Sequence, residues 1–168
     1  MDQVQQPISQ RSVLFVCLGN TCRSPMAEAV LKHLLKKEGV DLLVESAGTR
    51  DYHVGKNPNP KTMKVLEENG IKNFIHKARQ IEEDDFHQFT WIICMDKWNL
   101  KDLEYMKPAK SRARLHRLGE FVENMDVEDV YDPYFDGNDA SFYSVYDHIF
   151  NACNGLVKKI IRKDVTLY

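Results

Sequence analysis

The sequence predicts an α/β fold: a single-domain three-layer sandwich in which a four-stranded parallel sheet has helices on both faces. Two observations lead to this prediction. Short apolar runs alternate along the chain with amphipathic segments, and 168 residues fit one domain. Strands that alternate with helices pair in parallel through right-handed crossovers, so helices cover both faces of the sheet. A Cys-x5-Arg loop follows the first predicted strand.

The first predicted strand is the apolar run 13–17, which is typical of a strand buried on both faces. A helix is predicted to begin with Ser24 as its N-cap and Pro25 as its first residue, and to end at Gly39. Between these limits, apolar side chains recur with the spacing of one helical face, at Ala27, Val30, Leu31, Leu34 and Leu35.

A short second strand is predicted at 42–44, and a second helix follows it. Asn59 and Pro60 are typical of a helix start, whereas Asn69 and Gly70 are typical of a helix end. The apolar side chains of this helix are Met63, Val65 and Leu66.

The second half of the chain continues the alternation, with a short acidic helix at 81–86 and a third buried strand at 91–95. Asp96 is suited to cap the next helix, whose inward side chains are Leu100 and Leu103. A weaker fourth strand is predicted at 115–118. The last helix begins near Asp139, and its apolar side chains are periodic: Phe142, Val145, Tyr146, Ile149, Cys153, Leu156 and Ile160.

The composition is that of an ordinary globular protein, with 43% hydrophobic residues, 29% charged residues and a net charge of −2. This charge argues against duplex DNA or an anionic membrane as a partner, and no apolar run approaches the roughly 20 residues that cross a bilayer. Residues 1–11 are polar and lack the apolar stretch of a signal peptide. We interpret them as a flexible lead-in to a domain at 12–168.

Four cysteines are present, and they are too few and too scattered for a secreted disulfide framework: Cys17, Cys22, Cys94 and Cys153. Their spacing does not suit a zinc site either. The sequence therefore predicts a reducing compartment, with the cytoplasm as the default.

The loop after the first strand has the composition of an anion-binding site. Ligands bind at the carboxyl ends of strands in such sheets, and seven residues from Cys17 to Arg23 must curl there. Gly19 and Asn20 tolerate positive φ, and a curled loop turns successive backbone N–H groups toward one point. The N-terminus of the following helix and the planar donors of Arg23 add positive charge. Together these features predict a phosphate-binding cradle.

The same donors favour the thiolate form of Cys17, which would lie beneath a bound phosphate in position for in-line attack on phosphorus. The alternative is that Cys17 is a small buried residue at a strand end and Arg23 a surface charge. That alternative leaves the Gly-Asn turn and the adjacent Arg-Ser-Pro sequence unexplained. Nucleophilic catalysis of phosphate ester hydrolysis is therefore the favoured interpretation.

A general acid is expected in the turn-rich segment 130–137. Asp132 is the candidate, because Pro133 biases its backbone to an extended conformation and stiffens the loop. Tyr134 and Phe135 are large aromatic residues on a loop, where they could form walls for an aromatic ring. The alternative is a plain turn with locally packed aromatics.

These segments resemble a known family. Residues 13–25 resemble the signature of the low-molecular-weight protein tyrosine phosphatases, and residues 132–135 resemble the acid loop of that family. Residues 76–80 and 94–96 match further segments, and the resemblance runs from about Ser12 to the final helix.

The resemblance implies a protein tyrosine phosphatase with no metal and no organic cofactor, acting through a phosphocysteine intermediate. It makes Cys17 the nucleophile, Arg23 the phosphate clamp and Asp132 the general acid. Phosphotyrosine-containing proteins and aryl phosphate monoesters would be substrates, and inorganic phosphate a product. The other loop residues that would contact substrate are Leu18, Gly19, Asn20, Thr21, Cys22 and Ser24.

Supporting roles also follow from the resemblance. Hydrogen bonds that hold the loop in shape are implied for Asn20, Ser24, Ser46 and His76, and Ser24 would also ease departure of the thiolate. Asp96 would orient the arginine. The cleft walls would be Tyr52 and His53, opposite Tyr134 and Phe135. From the residues alone, Asp96 is equally a helix cap, Ser46 a turn former and His76 an exposed histidine.

Cys22 gives the loop an implied second property, because in the family this cysteine and Cys17 can close a reversible disulfide under oxidant. Two departures from the family pattern stand out. Thr21 replaces an apolar residue, and Phe135 stands where a second tyrosine is frequent, which removes one candidate phosphorylation site.

Two competing functions remain in view. An arsenate reductase of the same fold also uses a Cys-x5-Arg loop, but a thioredoxin-coupled one needs a third cysteine on a mobile segment, and residues 95–130 contain no cysteine. The other competing function is a non-catalytic phosphate-binding module. The presence of a nucleophile, an arginine and an acid argues against it. The sequence leaves the physiological substrates and the oligomeric state open.

Overall fold

Four parallel strands form the sheet in the computed structural model, which describes residues 11–161. In chain order they are β1 (Ser12–Cys17), β2 (Leu43–Gly48), β3 (Trp91–Cys94) and β4 (Arg114–Arg117). Their spatial order is β2-β1-β3-β4, so β1 lies between β2 and β3. Val13 is opposite both Val44 and Trp91 in the register. The predicted fold class is confirmed.

Five helices connect and cover these strands within residues 11–161: α1 (Arg23–Lys37), α2 (Pro60–Glu68), α3 (Asp85–Gln88), α4 (Lys97–Met106) and α5 (Asp139–Ile161). A 3-10 turn at Leu118–Phe121 follows β4. Among the described helices, none is both long enough and apolar enough to span a membrane. Residues 1–10 and 162–168 lie outside the described range, and residues 1–10 of the predicted flexible lead-in are among them.

The central strand β1 divides the core into two clusters, because successive side chains point to opposite faces of a sheet. Val13 and Phe15 pack with α1, α2 and α5 on one face. Leu14 and Val16 pack with α3, α4 and β3 on the other face. All four side chains are fully buried. This arrangement gives the three predicted layers and brings the carboxyl end of β1 to the rim of the sheet.

The predicted start of the first helix is wrong by two residues. Helix α1 begins at Arg23, with Cys22 at the N-cap position and no side-chain capping bond. Ser24 lies inside the first turn, and its hydroxyl is turned toward the thiol of Cys17 instead of the helix end. The loop therefore runs directly into the helix, which keeps the first helical turn close to the thiol.

The bounds of three other elements differ from the predicted ones, because they depend on hydrogen bonding between distant segments that a local sequence pattern does not show. The second strand runs to Gly48, beyond the predicted 42–44, because its polar end pairs with β1. The acidic segment predicted as a helix at 81–86 becomes helical from Asp85, since Ile81 donates its N–H to the carbonyl of Gly48. The fourth strand covers Arg114–Arg117, one residue earlier than predicted. Asn59 caps α2 as expected.

Candidate active site

The Cys17 loop begins where β1 ends and leads into α1. Cys17 is buried, and the backbone N–H of Asn20 donates to its Sγ at 3.3 Å. The Ser24 hydroxyl lies 2.9 Å from the same sulfur. A loop N–H, a hydroxyl and the N-terminal turn of α1 thus surround the sulfur, an environment that stabilises negative charge.

The shape of the loop depends on Asn20, whose backbone is left-handed with φ of 58°. Its side-chain amide donates to the hydroxyls of Ser24 at 2.8 Å and Ser46 at 3.0 Å. Its side-chain oxygen accepts from Nε2 of His76 at 2.9 Å and from the backbone N–H of Arg79 at 3.0 Å. Four hydrogen bonds from one buried side chain therefore tie the loop to β2 and to the segment before α3.

Glycines at two positions allow close approach around the loop. Gly19 does not have positive φ, contrary to the role expected for it; a Cβ there would lie 2.7 Å from the ring carbon Cδ2 of His53. Gly48, at the end of β2, would place a Cβ 2.8 Å from the carbonyl oxygen of Leu18. Of the Gly-Asn pair, Asn20 provides the left-handed turn and Gly19 provides space for the cleft wall.

Arg23 is almost fully buried and is held by three acceptors. Its Nη1 donates to Oδ2 of Asp96 at 2.8 Å and to the carbonyl of Val130 at 2.9 Å. Its Nη2 lies 3.3 Å from Oδ2 of Asp132. Burial lowers the pKa of Arg23, but Cys17, Asp132 and Asp96 outweigh burial, and the net pKa lies above its usual value. The guanidinium is therefore a permanent cation of defined orientation.

Asp96 has both functions considered for it. One carboxylate oxygen accepts from Arg23, while Oδ1 accepts from the backbone N–H of Asn99 at 2.7 Å and caps α4. Asp96, as the N-cap of α4, thus places a negative charge at the end of β3, where it forms an ion pair with Arg23.

Asp132 reaches the mouth of the cleft although it is far from Cys17 in the sequence. Its Oδ1 accepts from the backbone N–H of Tyr134 at 3.1 Å, which positions the carboxylate on its own loop. Its side chain is 20% exposed, so the carboxyl group can exchange a proton with substrate or water.

The cleft above Cys17 has a volume of about 220 Å³. Its outer walls are aromatic: His53 and Tyr134 lie with ring centroids 5.6 Å apart, and Phe135 lies 5.6 Å from Tyr134. Tyr52 and Phe135 are 63% and 72% exposed. The lining brings together residues from three segments of the chain: Cys17, Leu18, Gly19, Thr21, Cys22, Arg23, Tyr52, His53, Asp132, Tyr134 and Phe135.

Sequence reasoning missed Glu28, a buried carboxylate beneath the loop. Its Oε1 accepts from the Ser46 hydroxyl at 2.7 Å, and its Oε2 accepts from Nζ of Lys32 at 2.7 Å. Nδ1 of His76 lies 3.6 Å from Oε1. One signal was available, because Glu28 stands four residues after Ser24 and so on the same side of α1. The predicted Ser46 and His76 lie with it behind the loop, and His76 is not an exposed histidine.

All four cysteines are free thiols. Burial, and then the nearby Cys17, raise the pKa of Cys22 to about 12. Cys94 in β3 and Cys153 in α5 have no exposed surface, and burial raises the pKa of both. The surroundings of Cys22, the cysteine beside Cys17, therefore favour its neutral thiol form.

Comparison with known proteins identifies the family. The family model described as low molecular weight phosphotyrosine protein phosphatase matches residues 12–166. The chain belongs to this phosphatase family. It is 40% identical over 154 residues to the low molecular weight phosphotyrosine protein phosphatase of Sus scrofa, a match that covers 89% of this chain and 96% of that protein. The resemblance drawn from the sequence is confirmed.

Other members of the phosphatase family extend the comparison. The low molecular weight protein-tyrosine-phosphatase YfkJ of Bacillus subtilis is 41% identical over 151 residues, which cover 89% of this chain and 95% of that protein. The solved structure of DARP, a Drosophila arginine phosphatase, superposes with a TM-score of 0.84 at 37% identity and covers 90% of this chain and 99% of that chain. Both matches cover about nine tenths of this chain.

Proposed function

We propose that this chain hydrolyses phosphotyrosine in proteins, and aryl phosphate monoesters in general, through a phosphocysteine intermediate on Cys17. One observation supports this proposal most directly. The Cys17 thiol lies at the base of an aromatic-walled cleft, Arg23 is fixed beside it, and the Asp132 carboxyl group stands at the mouth.

In the first step, the Cys17 thiolate attacks phosphorus and forms a P–S bond while the P–O bond to the tyrosyl oxygen breaks. Asp132, in its protonated form, donates its proton to that leaving oxygen. Arg23 is a planar cation suited to two phosphate oxygens, and its bonds to Asp96 and Val130 orient it before substrate arrives.

In the second step, water attacks the phosphocysteine and the P–S bond breaks. Asp132, now a carboxylate, accepts a proton from that water, so one group serves both steps. The Ser24 hydroxyl, 2.9 Å from the sulfur, stabilises the departing thiolate by hydrogen bonding. The products are inorganic phosphate and the regenerated enzyme, and no metal or organic cofactor takes part in either step.

A reversible oxidation of the same loop forms part of the proposal. Peroxide converts the Cys17 thiolate to a sulfenic acid; the Cys22 sulfur then attacks it, a disulfide forms and water leaves. A thiol reductant restores both cysteines. Cys22 lines the same cleft, and Cys17 lies close enough to contribute, after burial, to the raised pKa of Cys22. Four free cysteines are also consistent with a reducing compartment, for which we propose the cytoplasm.

Phosphoarginine is a second candidate substrate, favoured by Thr21. This residue lines the cleft at the position where the family pattern has an apolar side chain, so its hydroxyl can accept a hydrogen bond from a guanidinium N–H. The structural relative DARP is described as an arginine phosphatase. Hydrolysis would then break a P–N bond, with Asp132 protonating the leaving nitrogen.

The substrate class can be tested with two peptides that differ in the phosphorylated residue. Wild type and Thr21→Val are compared on phosphotyrosine and phosphoarginine peptides. If phosphoarginine is a substrate, wild type hydrolyses both peptides and Thr21→Val loses activity on phosphoarginine alone. Absence of phosphoarginine hydrolysis by wild type removes this candidate.

The main proposal is tested by hydrolysis of p-nitrophenyl phosphate in EDTA, without added metal. Wild type should turn over, whereas Cys17→Ser should show no turnover but still bind inorganic phosphate, since Arg23 and the loop remain. Phosphate binding without turnover by wild type would instead indicate a non-catalytic module. The arsenate reductase alternative requires a further reactive cysteine, and Cys94 and Cys153 are both fully buried.

A further inference from the structure

A second pocket lies between the C-terminal half of α1 and the segment that follows α2. Its volume is about 550 Å³, compared with about 220 Å³ for the cleft above Cys17. We call it the basic pocket, because its lining includes five basic side chains beside one aromatic ring: Lys32, His33, Lys36, Lys37, Lys72 and Phe74. No carboxylate is among the described residues that line it.

The positive charge of the basic pocket contrasts with the chain as a whole, whose net charge is −2. A run of lysines along a helix is usually a solvated face. Here, Lys72 arrives from a different segment and faces the same concavity as the lysines of α1. Burial lowers the pKa of His33, and Lys37 and Lys36 lower it further, as expected where cations lie near one another.

The basic pocket is not an extension of the catalytic cleft. Helix α1 contains 15 residues, with the Cys17 loop at its N-terminus and Lys36 in its last turn. At a rise of about 1.5 Å per residue, the two ends lie roughly 20 Å apart. A phosphate bound above Cys17 therefore cannot also contact Lys36.

Lys32 connects the basic pocket to the loop. It lines the pocket, with Nζ 5.9 Å from the centre of the Phe74 ring, and it also donates to buried Glu28 at 2.7 Å. Glu28 in turn accepts from Ser46, whose hydroxyl accepts from the side chain of Asn20. Only two side chains, Glu28 and Ser46, separate the lysine from the residue that shapes the loop.

We propose that the basic pocket binds a small polyphosphorylated anion and that Lys32 couples its occupancy to catalysis. Four lysines around one concavity match several phosphate groups better than a single one. A bound anion competes with Glu28 for the ammonium group of Lys32. The buried Glu28 carboxylate then loses its hydrogen bond from Lys32, and the hydrogen bonds from Ser46 to Glu28 and from Asn20 to Ser46 become less well ordered. Occupancy therefore lowers kcat. The coupling rests on the proposed phosphatase function, whereas binding does not.

Binding is measured by calorimetry with inorganic triphosphate as the probe. The charge-reversed pair Lys36→Glu/Lys72→Glu is compared with Lys107→Glu/Lys110→Glu, whose lysines are exposed beyond α4 and carry the same change in charge. Any binding of triphosphate at the Cys17 cleft is the same in both double variants and cancels in the comparison. The pocket pair should lose affinity by on the order of tenfold or more relative to the control pair.

Because Lys36 lies in the last turn of α1, where cations stabilise a helix, the neutral pair Lys36→Gln/Lys72→Gln is measured as well. It should also bind triphosphate more weakly than Lys107→Gln/Lys110→Gln. Equal affinity of the pocket and control pairs would overturn the proposal. So would binding of anionic vesicles or an acidic phosphopeptide without binding of triphosphate.

Coupling is measured as kcat for p-nitrophenyl phosphate at saturating substrate, where competition at the Cys17 cleft is overcome. Triphosphate should lower kcat of wild type and of Lys107→Gln/Lys110→Gln by about fivefold. The Lys36→Gln/Lys72→Gln pair should have normal kcat alone and no response to triphosphate. A response of equal size in both pairs would overturn the coupling. Triphosphate binding by an enzyme inactive on every substrate would refute the phosphatase function and leave the anion site standing.

Discussion

Asp96 accepts a 2.8 Å hydrogen bond from Nη1 of Arg23 while its other carboxylate oxygen caps helix α4. The residue that caps a helix at the end of β3 therefore holds the guanidinium of an arginine 73 residues away. Orientation of the guanidinium before substrate binds lowers the entropic cost of reaching the transition state.

Replacement of Asp96 can separate its two functions. Asn is a good N-cap, so Asp96→Asn should keep α4 capped and place its amide NH2 against Arg23. We expect kcat/KM for p-nitrophenyl phosphate to fall by about 10- to 100-fold with little change in stability. Asp96→Ala should lose similar activity and also about 1 kcal/mol of the free energy of unfolding, measured in urea. Wild-type kcat/KM in Asp96→Asn would contradict the orienting role.

The effect of Asp132→Ala on kcat should depend on the leaving group if Asp132 is the general acid. A poor leaving group such as phenol needs protonation, whereas p-nitrophenol leaves more readily as its anion. We expect kcat for phenyl phosphate to fall by about 10²- to 10⁴-fold, and kcat for p-nitrophenyl phosphate to fall far less. Equal losses with both esters would remove Asp132 from the acid role. The same variant, used to trap substrates from a cell lysate, would then identify physiological partners.

Two variants of Asn20 separate the contribution of its left-handed backbone from that of its side-chain hydrogen bonds. Asn20→Ala loses the four side-chain bonds and also forces alanine into a left-handed backbone, whereas Asn20→Gly loses the bonds alone. Both variants should lose activity, and Asn20→Gly should be more stable than Asn20→Ala by about 1 kcal/mol in urea unfolding. Equal stability would mean that the loop can abandon positive φ at this position.

Cys22→Ser should change recovery from oxidation without removing the nucleophile. Wild-type activity lost to hydrogen peroxide should return after treatment with dithiothreitol, because a disulfide protects Cys17 from further oxidation. Cys22→Ser should recover much less, since sulfinic acid at Cys17 is not reduced by thiols. Recovery of the variant to the wild-type level would refute the redox proposal, and Cys153→Ser serves as a control at a buried cysteine far along the chain.

Gly155→Ala should destabilise the protein although alanine favours helices. In an unpacked helix this substitution gains about 1 kcal/mol. Here, a Cβ at position 155 would lie 1.8 Å from the carbonyl oxygen of Phe121, which belongs to the backbone and must move. We expect a loss of about 1–3 kcal/mol in urea unfolding. Asn151→Ala, at an exposed position of the same helix, should instead be neutral or slightly stabilising.

Local signals in the sequence were sufficient for the elements that build the loop. The apolar run of β1, the Gly-Asn turn and the Arg-Ser-Pro sequence lie within 13 consecutive residues, so strand, loop and helix were all predicted there. The cap of α1 was wrong because Ser24 has two possible partners, the helix end and the Cys17 thiol. A sequence pattern cannot choose between them, since the choice depends on where Asn20 and Ser46 lie.

Long-range pairing explains the other differences. Glu45, Ser46 and Gly48 have no strand periodicity of their own, yet they form β2 because each is paired with a residue of β1. Asp132 was predicted from its loop, but its position 3.3 Å from Arg23 depends on α5 and β4 bringing that loop to the rim of the sheet.

The sequence by itself determined the order of strands and helices along the chain, the position of the Cys-x5-Arg loop after the first strand, and the family to which the chain belongs, because these depend on short-range patterns. Only the tertiary structure shows that Glu28 lies beneath the loop and that Lys72 lines the same pocket as the lysines of α1. It also shows that the backbone of Phe121 packs against Gly155. Each of these depends on segments distant in the chain meeting in space. Periodicity indicates which face of an element is buried, but it does not indicate what that face meets.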